Sequence, residues 1–193
     1  WDLANPTHID RSAPTAWNVL AQNGSSPRHA VYRELCAILR TMDAARRIHV
    51  LGQLAEWAGV PSRRRLEHGA LSAEEVRQLE VGGLVEVGSH TMTHPVLSSL
   101  TIKEQREEIM GGKEQIERIL GHPVVSLSYP FGLKADYTAE TVKAAREAGF
   151  GCACANFPGV IGMRTRRYEL PRFLVRDWDG DEFERRLRVW LEG

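Results

Sequence analysis

From Leu71 onward, short apolar runs alternate with segments of helical periodicity, and this alternation strongly limits the folds open to the chain. The apolar runs "LVEVGSH", "VVSLSYPFG", "GCACA" and "RFLVRDW" predict strands. The segments between and after them carry apolar residues at helical spacing. Strand and helix repeated with short connections are typical of a parallel sheet with helices outside it. We therefore predict an α/β fold with functional residues at the carboxyl ends of its strands.

The starts of two predicted helices are marked by capping boxes, in which a hydroxyl residue is followed three positions later by a glutamate. Ser72 with Glu75 forms the first, and Thr101 with Glu104 forms the second. One apolar stripe of the helix after Thr101 consists of Ile102, Ile109, Ile116 and Leu120. A third helix, "TAETVKAAREAGF", is predicted to stop at Gly149.

The part of the chain before Leu71 has a different character. "PRHAVYRELCAILRTM" and "DAARRIHVLGQLAEWAG" have helical spacing, whereas "NPTHIDRSAPT" and "NGSSPR" are rich in turn-forming residues and predict loops. We interpret residues 1–70 as a helical and partly irregular segment of the same domain as residues 71–193.

Composition excludes several classes of function. The 193 residues include 25 basic and 25 acidic side chains, and this balance argues against a nucleic-acid partner, because phosphate binding needs a basic excess. The sequence contains no apolar stretch long enough to span a bilayer. Its three cysteines do not make a disulfide framework. A reducing, cytoplasmic location is the expectation.

The stretch "GSHTMTHP" places two histidines, His90 and His94, four residues apart at the end of a predicted strand. Two neutral imidazoles at this spacing can bind one divalent ion if the segment between them turns tightly. The alternative is a solvated pair, since a chain with seven histidines can contain one such spacing by chance. The spacing alone leaves both interpretations open.

The residues around these histidines resemble the polysaccharide deacetylase family, also called the NodB homology domain or carbohydrate esterase family four. Its His-Ser/Thr-x-x-His motif is matched from His90 to His94, and "PVLSSL" after it is typical of the family. "SYPFG" matches the later Arg-x-Pro-Tyr/Phe motif except that Ser128 stands where the family has arginine. The resemblance implies a distorted (β/α) barrel, of which residues 71–193 would form the C-terminal part and residues 1–70 would include a helical insertion.

The resemblance also implies an activity, the hydrolytic removal of N- or O-linked acetyl groups from a polysaccharide or glycan precursor. Zn²⁺, or another divalent ion such as Co²⁺, Mn²⁺ or Ni²⁺, would be held by His90, His94 and an upstream aspartate. A second upstream aspartate would act as general base. The backbone N–H of Phe131 would stabilise the oxyanion, and Tyr129, Pro130 and Phe131 would contact the sugar.

Several family features are missing from this sequence. No string resembles the Thr-Phe-Asp-Asp-Gly motif that supplies both aspartates, and the chain begins without methionine. We therefore expect an incomplete barrel whose first strands are missing from this chain, and little activity from the chain alone. No histidine follows His122, so the family's late Leu-x-His general acid has no counterpart.

Two other interpretations of the function remain. The domain could be a non-catalytic glycan-binding or scaffold domain of the same fold. It could also be another kind of zinc hydrolase, which would need a third ligand from within the chain. No motif specifies the sugar, the acetyl position or the oligomeric state.

Overall fold

The computed structural model describes residues 27–60 and 69–192. By its internal contacts the chain divides into two units, Trp1–Arg40 and Thr41–Gly193. In the first unit the structure describes one helix, α1 (Pro27–Arg40), where helical spacing predicted it. The two turn-rich stretches predicted as loops lie outside the described residues.

The second unit contains the alternating elements that the sequence predicts. In chain order these are α2 (Ala44–Trp57), α3 (Ala73–Leu79), α4 (Ile102–Leu120), β1 (Ser126–Ser128), α5 (Ala139–Glu147), β2 (Cys152–Cys154) and α6 (Gly180–Glu192). A single 3₁₀ turn, Leu97–Ser99, precedes α4. No helix in the described ranges combines the length and apolar character needed to cross a membrane.

The strands are parallel, as the alternation of elements predicts. β1 and β2 pair directly, and one further bridge on each side extends the ladder. Ser89 bridges to Leu127 on one side, and Leu170 bridges to Cys154 on the other. Each successive apolar segment therefore takes the next place in the sheet, so the carboxyl ends of the strands meet at one edge. Closure of this sheet into a barrel stays a prediction.

Two predicted strands are shorter than expected or absent. The segment "LVEVGSH" contributes a single bridge at Ser89. The segment "RFLVRDW", residues 172–178, forms no strand. The ladder hydrogen bonds are made earlier, where Leu170 N–H donates to Ala153 O at 2.9 Å and Ala155 N–H donates to Leu170 O at 2.9 Å. An apolar run becomes a strand only where a neighbouring backbone offers partners, and Leu174 and Val175 are exposed instead.

Both predicted capping boxes form. Ser72 Oγ accepts from Glu75 N–H while Glu75 accepts from Ser72 N–H, and Thr101 makes the same pair of bonds with Glu104. Helix α4 ends at Gly121, whose φ of 82° is the left-handed conformation that favours glycine. These caps fix where α4 begins and ends, and α4 is the helix that lies beside the histidines.

The buried core joins the two strands to α4 and α5. Its largest fully buried side chains include Tyr129, Leu97, Ile109 and Leu127. The predicted apolar stripe of α4 is largely confirmed, because Ile109 is buried and Ile116 and Leu120 pack against the core. A polar bond also ties the two helices together, since Thr141 Oγ1 donates to Gln105 Oε1 at 2.5 Å.

Candidate active site

The first histidine lies at the carboxyl end of the sheet because the residue before it is part of the ladder. Ser89 N–H donates to Ser126 O, and Ser128 N–H donates to Ser89 O, each at 2.9 Å. His90 then places Nδ1 at 2.6 Å from Ser128 O. A carbonyl oxygen can only accept, so Nδ1 carries the hydrogen, and in the neutral tautomer that this bond selects Nε2 has the free lone pair. His90 is therefore oriented as a metal-binding histidine requires.

The second histidine is brought beside the first by a tight loop. The ring centroids of His90 and His94 are 4.7 Å apart in an edge-to-face arrangement. Thr91 and His94 both have positive φ values, 65° and 57°, and His94 N–H donates to Thr91 Oγ1 at 3.2 Å. Such left-handed conformations are uncommon for side chains other than glycine and concentrate at functional sites. The four-residue spacing is therefore closed by a turn, as the metal interpretation requires.

The electrostatic surroundings of His94 favour its neutral form. Partial burial lowers the pKa of His94, and the neighbouring His90 imidazole and then the Arg47 guanidinium lower it further. A neutral imidazole is the form that binds a divalent ion. The two histidines thus fit two ligand positions of a zinc site. In the described ranges, no group of three histidine, cysteine, aspartate or glutamate side chains could hold a metal ion.

The "SYPFG" turn closes the other side of this site. The rings of His94 and Phe131 are 4.8 Å apart, and Phe131 has a φ of 59°. Asn156 holds the turn from the segment after β2, because its N–H donates to Gly132 O at 2.8 Å and its Nδ2 donates to Phe131 O at 3.0 Å. A Cβ on Gly132 would lie 2.9 Å from Asn156 N, so only glycine fits this close approach.

The structure places two predicted sugar-contacting residues in the core. Tyr129 is fully buried, donates from its hydroxyl to Tyr168 O at 3.0 Å and stacks on Tyr137 with centroids 4.5 Å apart. Burial raises the pKa of the Tyr129 phenol well above its ordinary value. Pro130 is also fully buried. Of the three, only Phe131 keeps exposed surface.

Ser128, which replaces the arginine of the family motif, has an unusual environment. Its hydroxyl and that of Ser89 are buried and have no hydrogen-bond partner among the described residues.

Three supporting residues were not predicted from the sequence. Glu108 of α4 and Arg47 of α2 bind the loop between the histidines, and Asn156 binds the "SYPFG" turn. One signal pointed toward the first, because Gly111 and Gly112 interrupt an otherwise strong helix-forming segment. An internal glycine in a helix often has a packing reason. Asn156 has no comparable local signal.

Comparison with known proteins identifies the family of this chain. The family model described as polysaccharide deacetylase matches residues 21–153, more than half of the chain and a range that includes both histidines and the "SYPFG" turn. The chain belongs to the polysaccharide deacetylase family.

Individual relatives cover smaller parts of the chain. A protein of Bacillus subtilis (strain 168) named as a polysaccharide deacetylase, YxkH, is 29% identical over 105 residues, which are 54% of this chain and 36% of the relative. The chain thus matches little more than a third of that relative's length.

Two solved structures share the fold. The Streptococcus pyogenes deacetylase PplD in complex with acetate aligns with a TM-score of 0.55 and 16% identity, over 62% of this chain and 52% of that one. The deacetylase domain of BpsB from Bordetella bronchiseptica aligns with a TM-score of 0.52 and 19% identity, over 60% of this chain and 53% of that one.

Proposed function

We propose that this chain is part of a metal-dependent deacetylase that removes N- or O-linked acetyl groups from a polysaccharide or glycan precursor. The observation that carries the proposal is the pair of imidazoles of His90 and His94, whose ring centroids are 4.7 Å apart. Ser128 O orients the first of them through Nδ1. His90 and His94 would hold Zn²⁺ or another divalent ion such as Co²⁺, Mn²⁺ or Ni²⁺. Membership of the polysaccharide deacetylase family supports the substrate class.

The residues around the pair suggest how the reaction would proceed. His90 and His94 would hold the divalent ion, which would supply Lewis-acid polarisation of the acetyl carbonyl and activation of water. The strained turn at Phe131 lies against His94, so its backbone N–H is our candidate donor to the oxyanion that develops on the acetyl group. The Phe131 ring would contact the sugar. The products are acetate and a sugar bearing a free amine or hydroxyl.

The third ligand and the general base are proposed to come from outside the described residues. The described part of the chain offers two imidazoles at the site but no third ligand beside them. A hydrolytic zinc site normally has three protein ligands and an open position. We propose that a strand ending in two aspartates supplies both the missing ligand and the base. The chain without such a strand should bind zinc weakly and turn over little substrate.

One observation favours a second candidate, a non-catalytic glycan-binding or scaffold domain. Ser128 stands where the family has arginine, and its buried hydroxyl has no partner in the described ranges. A domain that has lost catalysis would keep the fold and the partly exposed Phe131 ring but would not need the arginine or the acids.

Acetate release from N- and O-acetylated oligosaccharides separates the two candidates. The assay compares this chain with the same chain joined to an Asp-Asp strand from another polysaccharide deacetylase, each with Zn²⁺ and after chelation. The deacetylase proposal predicts metal-dependent acetate release from the joined protein and little from the chain alone. Normal turnover by the chain alone would contradict the proposal that an additional strand supplies the two carboxylates. A correctly folded joined protein that binds zinc but releases no acetate from any substrate would favour the glycan-binding alternative.

A further inference from the structure

In the loop between the two histidines, Thr93 is held by hydrogen bonds to side chains of two helices. Its N–H donates to Glu108 Oε2 at 2.9 Å, and its hydroxyl donates to Glu108 Oε1 at 2.7 Å. Its carbonyl oxygen accepts from Arg47 Nη2 at 2.7 Å. All three hydrogen-bonding groups of Thr93 are therefore bound by charged side chains from two helices, α4 and α2.

Glu108 also binds the neighbouring residue of the loop. Its Oε2 accepts from the N–H of Met92 at 2.9 Å as well as from Thr93. One carboxylate thus satisfies two successive backbone donors and one hydroxyl. Hydrogen bonds to an ionised acceptor are roughly twice as strong as neutral ones. The turn between His90 and His94 is consequently defined by this carboxylate more than by any other group on α4.

Helix α4 reaches the loop because it has no side chains at the point of closest approach. A Cβ on Gly112 would lie 2.7 to 2.9 Å from three backbone atoms of Thr91, which real structures do not allow. A Cβ on Gly111 would lie 2.2 Å from Met92 Sδ. The two glycines let the helix lie against the loop, and Glu108 is on the same side one turn earlier.

The loop needs such support because its own backbone does not favour this shape. Thr91 and His94 both adopt positive φ values, and such conformations persist only when the surroundings over-determine them. The bonds from Glu108 fall on Met92 and Thr93, between these two strained residues. Release of the central residues would free both flanking residues to relax and would separate the two rings.

We propose that Glu108 is a positioning residue for the metal site, and that Arg47 of α2 supports the same loop through the Thr93 carbonyl oxygen. In this role Glu108 acts through the loop and not as a ligand of the metal. It holds the loop so that Nε2 of His90 and the ring of His94 point at one ion. This inference rests on the proposed metal site and also assigns a role to α2, a helix in the segment that the sequence analysis treated as an insertion.

Zinc titration calorimetry on the full chain tests this role. Glu108→Ala should lower zinc affinity by about 10- to 100-fold, the range for residues that orient metal ligands. Glu108→Gln should keep most of the affinity, because its carbonyl oxygen still accepts both N–H groups and its amide can donate to the Thr93 hydroxyl. Glu107→Ala is the matched control, because it removes a neighbouring carboxylate of the same helix that makes an exposed ion pair with Lys103 at 3.8 Å.

A second measurement does not depend on the metal. In the metal-free protein, the imidazole NMR resonances of His90 and His94 should shift toward flexible-peptide positions in Glu108→Ala, and should stay in place in Glu107→Ala and Glu108→Gln. If Glu108→Ala does not fold, Arg47→Gln replaces it, and this variant should show the same changes to a smaller extent.

The outcomes separate this inference from the proposed function. A parent chain that binds no zinc would contradict the metal site, whereas the resonances would still report whether Glu108 shapes the loop. The inference is overturned if the folded Glu108→Ala variant binds zinc as the parent does and keeps its imidazole resonances. Equal loss of affinity in Glu107→Ala would also overturn it, because the effect would then belong to the helix as a whole.

Discussion

At the scale of single residues, the candidate site depends on backbone shapes that few side chains tolerate. Thr91, His94 and Phe131 all have positive φ values and lie in the two turns that meet at the histidine pair. Gly112 allows α4 to lie against one of these turns, and Gly132 allows Asn156 to lie against the other. The strained residues and their close neighbours pack together, so substitutions at these glycines should change the arrangement of the two histidines.

Adjacent glycines of α4 provide a matched test of this close approach. Gly112→Ala should cost about 1–3 kcal/mol in the free energy of unfolding, because its Cβ meets backbone atoms of Thr91 that cannot move away. Gly111→Ala should be close to neutral, because its Cβ meets only the flexible, half-exposed side chain of Met92, and alanine favours the helix. Urea unfolding of both variants measures the difference. Equal costs would show that α4 and the loop do not approach as described.

Tyr129 gives a second test at this scale, because its hydroxyl is bonded to Tyr168 O within the core. Tyr129→Phe should lower the free energy of unfolding by about 1 kcal/mol through loss of the bond to Tyr168 O. The same variant should leave glycan affinity unchanged, whereas Phe131→Ala should weaken it. Urea unfolding and glycan titration report the two effects separately. A loss of glycan affinity in a stable Tyr129→Phe protein would show instead that the Tyr129 hydroxyl contributes to glycan binding.

At the scale of elements, the segment leading to the histidines is anchored to the helices on both sides of it. Glu80, just after α3, accepts from Val87 N–H at 3.0 Å and from His122 Nε2 at 2.7 Å. Arg77 of α3 donates from Nε to Ile119 O near the end of α4 at 2.8 Å. These polar contacts hold α3, the end of α4 and residue 87 together.

The Glu80–His122 pair should make stability depend on pH. The Glu80 carboxylate raises the pKa of His122 above its ordinary 6.5. The stabilisation of the fold that this shift provides is therefore present at low pH and is lost as pH rises through the raised pKa. The bonds from Val87 N–H and His122 lower the pKa of Glu80 below 4.5, so its contribution is lost as pH falls through the lowered pKa. The pair should therefore stabilise most between about pH 4.5 and 6.5.

Urea unfolding midpoints of the parent and of His122→Gln, measured from pH 4 to 9, check this dependence. The difference between the two proteins should be largest near pH 5 to 6 and should shrink toward pH 9. In a Glu80→Gln background the same histidine substitution should show little pH dependence. A difference that grows with rising pH would have the wrong sign and would contradict the pairing.

Sequence reasoning succeeded for the elements whose signals are local. The capping boxes at Ser72 and Thr101 gave helix starts correctly, because the bonds that cap a helix join residues three apart. It failed for residues 172–178, because an apolar run is a strand only if a neighbouring backbone pairs with it. The same contrast holds at the site, where the histidine motif is local but the bonds to Glu108, Asn156 and Arg47 span 15, 25 and 46 residues.

At the scale of the whole molecule, the histidine pair exists only in the folded chain. His90 is oriented by β1, 38 residues away, and the loop is held by α4 and α2. The unfolded chain has no such arrangement, so a metal ion should bind the folded state in preference. Metal binding and the stability of the whole unit are then thermodynamically linked.

Zinc should accordingly raise the melting temperature of the protein. A zinc concentration one hundred times the dissociation constant stabilises a folded state by about 2.7 kcal/mol. For a chain of this size that corresponds to a shift of about 5–10 °C. Thermal unfolding with zinc and with a chelator measures the shift, which His94→Ala should remove and His49→Ala should leave intact. An equal shift in His94→Ala would place the stabilising ion elsewhere.

We propose that His90 and His94 together bind the metal on which deacetylation would depend. Calorimetric zinc titration of the parent, His90→Ala and His94→Ala tests this binding, with His49→Ala as the control that removes an exposed histidine outside the site. We expect one zinc site in the parent and in the control, and a large loss of affinity in each of the other two variants. Unchanged zinc affinity in His90→Ala or in His94→Ala would contradict it.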